Sequence, residues 1–142
     1  MNVEETVIVI MVKDQKTGFL DRELGCYKIE ENDQLIYNTY AVEKDGGGYQ
    51  VFLKLTCDRD VADWEYEAIF DYYDTEPLLG VVSSVEEEEE CYNPTWKVSF
   101  EYVDNIEQME RKISEVLRIH AVELQSVYEA ISEKKDEYSN EN

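Results

Sequence analysis

One histidine, three cysteines and thirty-four acidic residues are the side chains from which this 142-residue chain could build chemistry. His120 is the only one whose ordinary pKa lies near neutrality. As a general base it would need Ser83, Ser84 or a cysteine within hydrogen-bond reach. Its spacing argues for another role. His120 shares a helical face with Ile113, Val116, Leu117, Leu124, Val127, Tyr128 and Ile131, which reads as a core histidine tied to a tyrosine or a backbone group. No GxSxG elbow and no informative Cys-His spacing occurs. No catalytic residue is expected.

Asp58, Asp60 and Asp63, with Glu65 and Glu67 behind them, could offer oxygen ligands to calcium or magnesium. A calcium loop needs a third ligand and then a glycine where Ala62 and Asp63 stand, so the cluster reads as a polar turn. The glycines at 46–48 are followed by neither GK[ST] nor a helix, which excludes a phosphate loop. No metal and no cofactor is expected. With thirty-four acids, almost any carboxylate pair could be proposed for glycoside chemistry, so none carries information. The aromatic residues say more. Trp64, Tyr66, Phe70 and Tyr72, with His120, Leu124 and Tyr128, could line a pocket between sheet and helix. A filled core is the favoured alternative.

The elements that must position these side chains are read from periodicity. Residues 6–13 (TVIVIMVK) are apolar almost throughout, as in a central strand covered on both faces. Residues 19–29 and 35–43 read as further strands, with Gly25 marking a bulge or a close backbone approach. An Asp-Gly-rich connector then leads to the alternating residues 49–57, a hairpin signal. Residues 64–72 alternate apolar with polar, which favours a strand. Asp60 with Asp63 three residues on could instead open a helix. Residues 78–85 read as a strand, although Ser84 followed by Glu87 could equally cap a helical turn, and the Glu86–Glu90 run reads as a solvated loop or strand extension. Residues 96–103 form the last strand. From 105 to 138 the period becomes helical, with Asp104 or Asn105 as N-cap.

The expected fold is α+β: an antiparallel, mostly meandering sheet of five to seven strands within residues 6–103, packed against one long C-terminal helix over 105–138. Residues 1–138 would form a single domain, and 139–142 a disordered tail. A helix of that length spans about 51 Å against about 27 Å for an eight-residue strand. The overhang, with Ile119 and Val122 off the main apolar face, predicts either a homo-oligomeric contact through the helix or a frayed tail after Ile131.

The net charge of −21 is uneven. Residues 58–104 carry two basic against fifteen acidic side chains, whereas each flanking third carries a net −4. Such a chain repels phosphate backbones and anionic lipid, so no nucleic acid and no membrane is expected as partner. A basic protein partner is electrostatically easier. The first apolar run is six residues long and follows Glu4 and Glu5, unlike a signal peptide. Cys26, Cys57 and Cys91 lack metal or disulfide spacing. A cytoplasmic location follows as the expectation.

The stretch from Asp58 to Asp74 (DRDVADWEYEAIFDYYD), preceded by Gly18-Phe-Leu and Glu23-Leu-Gly25, resembles a family of small acidic uncharacterised proteins from anaerobic spore-forming bacteria. The resemblance implies no activity and no site. The expected function is a non-catalytic cytoplasmic interaction or scaffold protein that self-associates. The alternatives are a small-molecule binding module with the pocket above, and an acidic mimic of nucleic acid.

Overall fold

The computed structural model describes residues 6–139. Strand β1 (Thr6–Lys13) and strand β2 (Leu20–Ile29) form an antiparallel hairpin. Its turn follows from the sequence: Asp14 Oδ1 accepts the N–H groups of Lys16 and Thr17 at 2.7 and 3.2 Å. A 3₁₀ turn at Asp33–Leu35 leads into β3 (Ile36–Glu43). The connector to β4 (Tyr49–Leu55) carries Gly46, Gly47 and Gly48 at φ of +89°, +106° and +81°. Side chains rarely adopt such angles, so the glycine run is a requirement of this turn.

Chain order then gives helix α1 (Asp63–Tyr72), α2 (Glu76–Leu79), β5 (Ser84–Glu88), β6 (Thr95–Glu101), α3 (Ile106–Ile131) and α4 (Lys135–Ser139). The six strands lie in the order β2-β1-β3-β4-β6-β5. The sheet is mixed, not purely antiparallel as expected. β2 returns along one side of β1, and the 30–35 link carries the chain past the Thr6 end of β1 to its other side. There β3 arrives parallel, with Val12 opposite Ala41. β6 inserts between β4 and β5 and buries Trp96, Val98 and Phe100 on one face. The glutamate-rich β5 stays at the edge, where its carboxylates reach water.

Two further expectations are corrected between residues 61 and 88. Residues 64–72 are helix, not strand. Val61, Trp64, Ala68, Ile69, Tyr72 and Tyr73 also satisfy helical spacing, and Glu65 settles the choice locally. Its carboxylate accepts the Ala62 N–H at 2.8 Å, capping the first turn. Residues 78–85 are not one strand: they contain the end of α2, the link after it and the start of β5.

α3 is the long apolar-faced helix the spacing demands. Asn105 caps it by accepting the Gln108 N–H at 2.9 Å. Met109, Ile113, Val116, Leu117, His120, Leu124, Val127 and Ile131 are buried. The single rod over 105–138 is not observed, because α3 stops at Ile131. The Ser132 hydroxyl donates to the Glu129 carbonyl at 3.0 Å and the Lys134 N–H to the Ile131 carbonyl at 2.9 Å, tightening the last turn. α4 folds back onto α1, where the Tyr138 hydroxyl donates to Asp71 at 2.8 Å. α3 alone spans about 39 Å, so the return of α4 takes up part of the expected overhang. Ser139, the first residue of the expected tail, is the last residue of α4; residues 140–142 lie outside the described residues.

α1 and α3 cover one face of the sheet, against Ile10, Val51, Leu53, Leu55, Trp96 and Val98. The other face carries no helix. β1 is therefore central in the sheet but covered on one side only, contrary to expectation. Val7 and Val9 on its outer side are 50% and 42% exposed.

Candidate functional site

His120 sits at the centre of the core, fully buried. Its Nε2 lies 2.8 Å from the Thr56 carbonyl oxygen and its Nδ1 2.8 Å from the Tyr73 hydroxyl. A carbonyl can only accept, so Nε2 carries the proton and Nδ1 accepts from Tyr73. The ring is boxed by Trp96 at 5.3 Å and Tyr73 at 5.6 Å, and these two stack on each other at 4.2 Å. The Trp96 indole N–H finds no acceptor in this box, so Trp96 is held by packing. Burial lowers the His120 pKa from 6.5 to about 4, against smaller upward pulls from the Thr56 hydrogen bond and the Asp58 carboxylate. Neighbouring groups move the other way: burial pushes the Tyr73 hydroxyl up, and the Cys57 thiol up to about 11. The cluster is a neutral, hydrogen-bonded clamp that ties the residues just after β4 (Thr56) and α1 (Tyr73) to α3.

The seven residues proposed for a pocket are partly dispersed. His120 and Leu124 are buried in the core. Phe70 reaches the cluster through an edge contact with Trp96 at 5.2 Å. Trp64 packs half-buried against the core. Tyr66 turns to the loop after β5, its hydroxyl within 3.0 Å of the Glu89 and Cys91 carbonyls. Tyr72 faces solvent at 40% exposure. Tyr128 donates to Asp58 at 3.0 Å and lies under the Arg59 guanidinium at 3.9 Å. A tyrosine hydroxyl and a backbone carbonyl are the kinds of partner expected for His120, but Tyr73 and Thr56 were not singled out as the residues that supply them, nor Trp96 as their neighbour. Nothing in their spacing marks them, because the fold brings them from three separate elements. The rings of Tyr73 and Trp96 occupy the space beside His120.

Shallow clefts lie elsewhere. One of about 300 Å³ runs between Asn32 and the Arg111, Ser114 and Arg118 side of α3. Another of about 400 Å³ is lined by Val61, Asp63, Tyr66, Glu67 and Tyr92. Among the described residues, no group of three or more His, Cys, Asp or Glu side chains is placed to hold a metal.

The uncovered sheet face is a further feature outside the core. Register places Val7, Val9 and Met11 of β1 beside Tyr40 and Val42 of β3 and Phe52 of β4. Tyr40 and Phe52 stack at 5.1 Å, and Lys13 and Lys97 lie over their respective rings at 4.9 and 5.6 Å. Lys97 bridges Glu86 and Glu88 at 3.4 and 3.8 Å, and Lys54 bridges Glu88 at 3.8 Å. The lysines lay their carbon chains on the rings and keep their charges at the rim. The result is a sheet face with an apolar centre and paired charges around it.

A family model described as a family of unknown function, DUF6762, matches residues 3–139. The chain belongs to that family. Comparison with curated proteins found no match, and comparison with solved structures found none. Membership brings no activity with it, so the meaning of the site rests on its geometry. Among the described residues no helix is long and apolar enough to cross a membrane.

Proposed function

We propose that this protein is a non-catalytic cytoplasmic interaction or scaffold protein whose docking surface is the uncovered face of the sheet. The observation that carries this reading is β1. Its sequence is apolar on both sides, the pattern of a strand buried on both faces, yet only its inner side is covered. Folding leaves Val7, Val9, Met11, Val42 and Phe52 together on a surface that a partner would complete. His120 supports the same reading from the opposite side. The one side chain with an ordinary pKa near neutrality is held in the core, both ring nitrogens bonded.

A photo-crosslinking residue placed at Val9 in cells tests the proposal, with Val122 of α3 as control. Both positions are exposed apolar sites, at 42% and 60%. The expected result is a discrete adduct from position 9 and none of matching size from position 122. Failure of position 9 to give any adduct above background, with the protein folded and expressed, rules the reading out.

A further inference from the structure

We infer that the occupant of the open sheet face is a second copy of this chain, the two sheets packing face to face as a symmetric dimer. The inference rests on the interaction reading above and names its partner. Charge is the first argument. The outward positions of the sheet include Lys13, Lys28, Lys54 and Lys97 against Glu23, Glu86, Glu88 and Glu101. These eight balance, leaving nine basic against thirty acidic side chains for the rest of the chain. Two molecules of −21 repel through most of their surfaces. This face is neutral in sum, with an apolar centre at Val7, Val9, Met11, Val42 and Phe52, so two copies can approach through it at the least electrostatic cost. A strongly acidic partner is repelled by the molecule as a whole. A basic partner gains more from the acidic surfaces outside this face.

Size is the second argument. Six strands about 4.8 Å apart and about 23 Å long present roughly 650 Å² per copy, or about 1,300 Å² for a pair, within the range of stable interfaces. A sheet face is also suited to isologous packing on itself, with strands crossing at a shallow angle. The sheet edges are less available. Glu110 accepts the Lys28 N–H at the free edge of β2, and β5 lines the other edge with glutamates. The exposed apolar residues of α3, Ile106 and Val122, stand about 24 Å apart along the helix and form no patch.

Sedimentation velocity of the purified full chain over the micromolar range tests the inference. Expected is a species of twice 16.7 kDa, strengthened by added salt as the residual repulsion is screened. Val9→Lys and Val42→Lys, on different strands of the face, should each weaken the dimer at least about tenfold. Val122→Lys should leave it unchanged, and circular dichroism should show all three variants folded. A strict monomer, or a dimer broken by Val122→Lys and indifferent to both face variants, overturns the inference. The cellular crosslink separates the two ideas: an adduct at Val9 with a different protein keeps the interaction reading while removing the second copy.

Discussion

The tautomer of His120 is fixed by what surrounds it, and that makes it a stability reporter. Its pKa in the fold is about 4 against an ordinary 6.5. The unfolded chain therefore binds the proton first, and the clamp's contribution, complete above pH 6.5, is lost as the pH falls toward 4. Urea unfolding should show a loss of about 3 kcal/mol across that window. His120→Phe should flatten this component while lowering stability at pH 7 by about 2–3 kcal/mol, since it strands the Thr56 carbonyl. Gly25 is a second reporter. The Tyr27 hydroxyl occupies the place a Cβ on Gly25 would take, and Tyr27 is buried. Gly25→Ala should cost about 1–3 kcal/mol by the same assay. At this scale the sequence was partly legible. His120 as a core group and Gly25 as a close approach follow from spacing, whereas the partners of His120 come from distant segments and leave no local mark.

The elements divide by how much of their pattern is local. α3, the 14–18 turn and the β3–β4 hairpin are decided by caps, glycines and periodicity within a few residues, and they were readable. α1 was not, because residues 61–73 satisfy periods of both two and 3.6. The outcome turned on one carboxylate, Glu65, capping Ala62, and on the packing of Ala68 and Ile69 beneath. The parallel β1–β3 pair was equally hidden, since the side of β1 on which β3 docks is a tertiary choice. α3 offers a direct check of which face holds the fold. Leu117→Ala should destabilise by about 3–4 kcal/mol through the cavity it leaves. Val122→Ala, on the exposed side, should change little, and denaturant midpoints measure both.

Charge sets the behaviour of the whole molecule. At −21 the folded state works against its own repulsion. Raising salt from about 0.01 to about 0.5 M should therefore increase stability by about 1 kcal/mol or more, read from thermal unfolding of a dimer-disrupted variant. The same excess acid explains why one neutral sheet face matters, because surfaces elsewhere meet a like-charged copy unfavourably. The strand β1 carried this information in its sequence, as an apolar run without alternation. What it did not carry is that the fold would cover only one side. The central claim, that the outer side of β1 is covered in the cell, is tested most directly by thiol alkylation. Val9→Cys and Val122→Cys would each be labelled in cells and in dilute purified protein, with sites mapped by mass spectrometry. The account predicts slower labelling of position 9 in cells than in dilute solution, with position 122 unchanged. Equal ratios at the two positions would contradict it.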